Sequence, residues 1–354
     1  MKLHIIQPAL PKYRKPLFDK LSEKFNLKVY ASKKDFLGVN SIKNTNYATI
    51  LGDFVNIFNL FFWQKGLSLY KAYDKGDCVV INGNPRILNY MLLLAFLRVR
   101  GIETIWWGHG WSAGSHGLSS RIRLMISRVA TKRLFYNDAE LTKINIPNSY
   151  SLNNGLCSSE INFNKIERNF QLGKFENTLN LIFIGRLTNK SNMELLLKAL
   201  SLCPSGINLT VIGDGQLRSE YERIVSSLKL TSRVNFIGAL YSESDIGKHM
   251  IKSHVFIYPG AVGLSLIHAF NYGVPCIIHS NRDNHMPENF AFKENFNGLS
   301  FDMGCEISLS KAIIKFFKMD NKCYKLMSEN ARNTVLKDYN LESMFQRFYQ
   351  AILS

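Results

Sequence analysis

Short apolar runs alternate with stretches of helical periodicity along the whole chain. In the first half, runs rich in Val, Ile and aromatic residues predict strands at 2–6 (KLHII), 27–31 (LKVYA), 78–82 (CVVIN), 103–107 (ETIWW) and about 133–136. Helices are predicted at 14–25, 55–73, 87–99 and 118–132. In the second half, strands are predicted at 180–184, 207–212, 233–237, 254–258, 275–278 and 298–301. Helices are predicted there at 191–202, 215–229, 242–252, 264–272, 307–317 and 321–336, with a last one over about 340–353. Strands that alternate with helices imply parallel sheets covered on both faces, an α/β chain of the doubly wound kind.

The pattern breaks at "SLNNGLCSSEINFNKIERNFQLGKFENT", a polar stretch with an Asn-Gly turn at 154 and 155. Two Rossmann-like domains are expected, 1–150 and 178–336, joined by a linker at 151–177. A C-terminal helix in 337–354 could pack back on the first. The length of 354 residues suits two domains.

Composition adds direction to this picture. The net charge of +17 is uneven. Residues 1–150 hold 22 Lys and Arg against 9 Asp and Glu, and the remainder 22 against 18. The first domain is therefore basic, which suits a polyanion, an anionic membrane surface or an acidic substrate. Basic residues interleaved with aromatics, as in a recognised nucleic-acid module, are absent, so no nucleic-acid partner is expected. The six cysteines form no CxxC pair, which suits free thiols in a reducing compartment. The N-terminus MKLHIIQPALP has too short an apolar run for a signal peptide. The longest apolar segment, LNYMLLLAFLRV, is too short to span a bilayer and reads as a buried helix or a shallow membrane contact. In LSSRIRLMISRVATKR, apolar residues at 118, 122, 125, 126 and 129 leave Arg121, Arg128 and Lys132 off the stripe. That stripe faces a core, or the helix rests on anionic lipid.

Open parallel sheets bind ligands beyond the carboxyl ends of their strands. Gly, His, Arg and Lys crowd those points here. FIGRLTNK puts Arg186 and Lys190 in a turn between strand and helix, where two cations can hold a diphosphate. YPGAVGLSLIHAF brings Gly260 and Gly263 to a helix start whose amides favour phosphate, with His268 one turn further on. No carboxylate lies in that stretch. WWGHGWSAGSHG holds His109 between two glycines directly after a strand, a place for hydrogen bonding or acid–base work. His116 follows in the same loop. HSNRDNHMPENF gathers His279, Arg282, Asp283, His285 and Glu288, but its spacing matches no standard metal site.

Five motifs in order over about 154–302 resemble the donor domain of GT-B glycosyltransferases, family 4 in particular. They are NNG at 153–155, IGRLTNKSNMELLLKAL, LTVIGDGQLRSEYERIVSSLKLTSRVNFIGAL, YPGAVGLSLIHAFNYGVPCI and MPENFAFKENFNGLSF. The resemblance implies two Rossmann-like domains facing a central cleft, with the donor against the second and the acceptor against the first. It implies a nucleoside-diphosphate-sugar substrate with no cofactor and no metal. Arg186, Lys190 and the amides of Gly263, Leu264 and Ser265 would hold the diphosphate. Gly185, Ile237 and His268 would meet the nucleoside, and Gly260, Ala261, Val262 and Glu288 the sugar. His109 sits about where the family has a sugar-contacting His and is the candidate catalytic residue. PALPKYRKPLFDKL lies where members have their first cleft loop, but lacks their Gly pair.

The family pattern of Glu, seven residues, then Glu falls on Gly260 and His268, so both acids are missing. The expectation is a sugar transferase, of the retaining type usual for the family. Its acceptor would be a glycan or a polyprenyl-linked precursor of O-antigen, capsule or lipopolysaccharide. The protein would be cytoplasmic and peripheral on the inner face of the plasma membrane. A nucleotide-sugar epimerase and a non-catalytic nucleotide-sugar-binding partner remain alternatives.

Overall fold

The computed structural model describes residues 1–42, 45–69, 73–110, 117–158, 161 and 178–354. His116 and most of the expected linker lie outside them. The chain divides into unit 1, Met1–Asn154 with Leu341–Ser354, and unit 2, Gly155–Asn340.

In chain order unit 1 holds β1 (Lys2–Ile6), α1 (Lys15–Lys24), β2 (Asn26–Ser32), β3 (Ala48–Leu51), β4 (Phe54–Ile57), β5 (Phe61–Gln64), β6 (Cys78–Asn82) and α2 (Leu88–Val99). It continues with β7 (Glu103–Trp107), α3 (Leu118–Ser127), β8 (Lys132–Phe135), α4 (Asp138–Ile144) and β9 (Ser149–Ser151). Unit 2 holds β10 (Leu179–Ile184), α5 (Met193–Ser201), β11 (Ile207–Ile212), α6 (Arg218–Ser227), β12 (Val234–Gly238), α7 (Glu243–Lys252) and β13 (Val255–Tyr258). Then come α8 (Leu264–Asn271), β14 (Cys276–His279), β15 (Gly298–Phe301), α9 (Glu306–Phe317) and α10 (Asn321–Lys337). The chain ends in α11 (Leu341–Leu353), which belongs to unit 1.

Unit 1 is built on a seven-stranded sheet in the order β3-β2-β1-β6-β7-β8-β9, with every pairing parallel. Successive strand residues point to opposite faces. Ile5, Val80, Ile105 and Trp107 face a core closed by α1 and α11, while Ile6, Val79, Ile81 and Trp106 face one closed by α2 and the end of α3. The sheet of unit 2 runs β12-β11-β10-β13-β14-β15, also parallel, between two further apolar layers. Both sheets therefore carry near-continuous apolar strands, as burial on two faces requires.

Two expectations fail in unit 1. The described residues of the helix expected over 55–73, namely 55–69 and 73, form none. Phe54–Gln64 is an antiparallel hairpin with Ile57 opposite Phe61, turned by Phe58 and Asn59 at φ 51° and 55°. Asn tolerates the left-handed region, and the rings of Phe36, Phe54 and Phe62 pack together beneath the ribbon. The helix expected over 118–132 stops at Ser127, and Lys132 opens β8, buried, with its Nζ 2.5 Å from Glu103 Oε1 and 3.1 Å from the Ile352 carbonyl. Lys132 is therefore buried and paired, and is not a surface cation of that helix. The stripe itself is turned outward at Leu118, Ile122 and Met125, and the helix lies on the sheet through Ser120, Ser127 and its neighbours Ile126 and Val129.

Candidate functional site

Loops from five adjacent strands of unit 2 meet at the carboxyl edge of its sheet. The backbone explains why three of them are glycine-rich. After β10, a Cβ on Gly185 would lie 2.9 Å from the Tyr258 ring. After β11, Gly213 at φ 143° packs on the Gly185 carbonyl and Gly215 on that of Leu187. Leu187 N–H donates to the Asp214 carbonyl (3.0 Å), and Gly213 N–H to that of Gly238 (2.8 Å) at the end of β12. This interlock fixes the turn that carries Arg186 and Lys190. Both side chains are exposed, and neither forms an ion pair among the described residues.

The loop after β13 lies against that turn. A Cβ on Gly260 would collide with the Lys190 carbonyl, which also accepts from Ala261 N–H (3.4 Å). No side chain fits at 260, so an acid there is excluded by packing. Gly263 caps α8, and the amides of Gly263, Leu264 and Ser265 open the helix at its positive end. A Cβ on Gly263 would sit 3.7 Å from Glu288 Oε2, so the buried Glu288 lies directly behind this opening.

His285 braces the same loop from below. Val262 N–H donates to His285 Nδ1 (3.1 Å), which leaves the ring proton on Nε2 to donate to the His279 carbonyl (2.9 Å). The two rings stack with centroids 3.7 Å apart. Burial pushes His285 down to about 4 and His279 below its ordinary value, so both are neutral near pH 7. The two histidines of HSNRDNHMPENF thus form a stacked brace under the loop. No group of three or more potential metal ligands occurs among the described residues.

One turn into α8, His268 Nε2 lies 2.8 Å from Glu243 Oε1, and Tyr272 OH donates to the same oxygen. Glu243 is the first residue of α7, just beyond the loop that follows Ile237 in β12. A carboxylate thus stands beside His268 in space. Ile237 packs with Ile184 and Tyr258 against the core under this edge.

In unit 1, His109 follows β7 and is half-exposed. Its neighbours are held tightly, because a Cβ on Gly108 would meet Gly83 at 2.9 Å and one on Gly110 would strike Ile144. The buried Glu140 accepts from Gly110 N–H and Tyr136 N–H, each at 3.1 Å, and its own N–H is capped by Asn137. His109 Nδ1 is 3.8 Å from Glu140 Oε1, too long for a hydrogen bond, and the ring lies 4.5 Å from that of Tyr136. The sequence placed Arg186, Lys190, Gly260 to Ser265 and Glu288 within one corner of unit 2, and the structure brings them together. Glu243 and Glu140 were missed, since nothing in their local sequence marks them, and His285 was singled out without its role as a brace for the 262 loop.

Solved structures share this architecture over the whole chain. The Anabaena protein HepE in complex with UDP is 15% identical, with a TM-score of 0.71 over 99% of both chains. The lipopolysaccharide outer core galactosyltransferase WaaB is 16% identical, with a TM-score of 0.69 over 99% of both. The fold is GT-B. Within this GT-B chain, residues 164–334 match the glycosyl transferases group 1 family, to which the chain is thereby related. An Escherichia coli UDP-Gal:alpha-D-GlcNAc-diphosphoundecaprenol alpha-1,3-galactosyltransferase is 24% identical over 48% of this chain and 44% of its own. A lipopolysaccharide core biosynthesis glycosyltransferase of Rhizobium meliloti is 23% identical over 48% of each. The chain thus spans about half the length of these curated relatives.

Proposed function

We propose that this chain is a glycosyltransferase that takes a sugar from a UDP-sugar donor bound on unit 2. The acceptor is a polyprenyl-linked or glycan precursor of a surface polysaccharide, bound on unit 1 at a membrane face. The carrying observation is the pair Arg186 and Lys190, two exposed cations without an acid partner among the described residues, fixed beside the opening amides of α8. That is the charge a leaving diphosphate requires, supplied by protein groups. The donor class is supported by HepE, solved with UDP, and by the E. coli relative, whose name gives UDP-Gal and an undecaprenol-linked acceptor.

In this reading Arg186 and Lys190 bind the two phosphates, and the amides of Gly263, Leu264 and Ser265 take the oxygens facing α8. His268, held by Glu243, meets the ribose beside Ile237 and Gly185. The backbone of Gly260, Ala261 and Val262 and the carboxylate of Glu288 contact the sugar. His109, on unit 1, is the proposed catalytic residue. Retention at the anomeric carbon is part of the proposal, in line with the alpha-1,3 product named for the E. coli relative.

A thermal-shift screen against nucleoside diphosphates and their sugars, followed by turnover with the best donor, tests this. Arg186→Ala and Lys190→Ala should each raise the donor KM roughly ten-fold or more, as expected for losing a charged hydrogen bond. Unchanged donor kinetics in both variants overturns the assignment.

A further inference from the structure

Unit 1 presents most of its exposed large apolar side chains on one layer. On α2, Leu92, Ala95, Phe96 and Val99 form an exposed stripe at helical spacing, with Val99 88% exposed. On α3, Leu118, Ile122 and Met125 do the same, with Arg121 and Arg128 between and beyond them. The hairpin tip adds Phe58, 88% exposed, together with Leu60 and Phe61. Hairpin, α2 and α3 all pack over the Ile6–Trp106 face of the sheet. The opposite layer, α1 and α11, exposes only Leu353 among large apolar residues. Water-facing apolar groups on this scale need a partner.

The chemistry of that partner is indicated where α2 and α3 end. A cavity of about 430 Å³ opens there, lined by Arg98, Arg128, Arg133, Asn145 and Asn148 among others, with no carboxylate in its wall. Arg133 is 6% exposed and gives three hydrogen bonds to the carbonyls of Pro147, Arg128 and Ala130, but its Nε has no partner. Burial and the two neighbouring guanidinium groups push its pKa below the usual value. A buried cation is ordinarily paired with an acid, but the pocket wall offers Arg133 none, and two exposed arginines converge on it instead.

We propose that this layer seats the chain on an anionic phospholipid surface, with a headgroup phosphate in the Arg98–Arg128–Arg133 pocket and the hairpin tip and helix stripes in the acyl boundary. A free anion would satisfy the arginines but leave the stripes in water. A neutral apolar partner would cover the stripes but not the arginines. The lipid surface does both, and the excess of basic residues in unit 1 draws it in. This deepens the membrane part of the proposed function and does not depend on the donor chemistry.

The test is sedimentation of the full chain with vesicles of phosphatidylglycerol and phosphatidylethanolamine (1:3), against phosphatidylcholine alone. The wild type should bind the anionic vesicles at low salt. The exposed double variant Arg98→Gln/Arg128→Gln should lower partitioning by about twenty-five-fold, at about five-fold per cation. Phe58→Ser/Val99→Ser should remove the binding that survives high salt. Lys24→Gln, on α1 of the opposite layer, should change nothing. A UDP thermal shift run on every variant should stay as in the wild type, which separates a lost membrane seat from a failed donor site. No sedimentation of the wild type overturns the proposal, and so does equal weakening by Lys24→Gln. Binding of single-stranded RNA with the same variant sensitivity, without vesicle binding, assigns the arginines to nucleic acid and also overturns it.

Discussion

Lowering the pH from 7.5 to 5.0 should destabilise unit 2 through His285. The ring is neutral in the fold, because its Nδ1 accepts from Val262 N–H and burial holds its pKa at about 4 against an ordinary 6.5. The folded value is the depressed one, so the unfolded chain takes up the proton first. The contribution is complete above about pH 6.5 and is lost as pH falls toward about 4. At about 1.4 kcal/mol per pKa unit the full loss is about 3 kcal/mol, and at pH 5.0 about 2 kcal/mol of it is gone. The comparison is with His285→Asn, whose side-chain oxygen can still accept from Val262 but does not titrate. All four tryptophans (63, 106, 107 and 111) fall in the unit 1 stretch of the sequence, so fluorescence in urea follows unit 1. Far-UV circular dichroism follows both units. The unit 2 transition of the wild type should lose about 2 kcal/mol more than that of His285→Asn between the two pH values. The fluorescence transition should not distinguish the two proteins. Equal losses in wild type and variant would refute the neutral brace.

Gly260→Ala drives a methyl into the Lys190 carbonyl, and the two loops must part. Unit 2 should lose about 1–3 kcal/mol in the same dichroism transition, with a higher donor KM; an unchanged transition would mean that the loops are not in contact. Glu243→Gln keeps the size of the group that holds His268 and Tyr272 but removes its charge. UDP affinity measured by calorimetry should fall about three- to ten-fold with the fold intact. Unaltered affinity would make His268 a packing residue only.

The sequence was most legible where the pattern is local and strong. β10 to β15 and their helices lie within a few residues of their expected places, because parallel strands buried on both faces are nearly continuous apolar runs. Residues 54–64 misled because VNIFNLFFWQ is apolar enough for either state, and the turn is made by Phe58 and Asn59 without a glycine. β3 and β9 are short edge strands with weak patterns. For α3 the sequence left two readings open, a stripe facing a core or a helix resting on lipid, because the pattern does not show that this helix meets its sheet through Ser120, Ser127 and Ile126. In the candidate site, strand-end loops announced Arg186, Lys190 and the 260–265 turn. Glu243, and the bracing role of His285, became visible only in three dimensions, since each acts on a residue more than twenty positions away. Gly260 illustrates the converse. A motif comparison reads it as a lost acid, while the packing reads it as a position that admits no side chain.

The return of α11 to unit 1 sets an order for building the molecule. Met344, Phe345, Phe348 and Ile352 complete the core around Leu3, Phe18 and Trp107, and Arg347 ties the helix to Asp138 at 2.8 Å. These residues leave the ribosome after every residue of unit 2. Unit 2 can therefore fold as a finished insert while the first-made unit still exposes one face of its sheet. The earliest part of the chain to be synthesised is thus the last to be sealed.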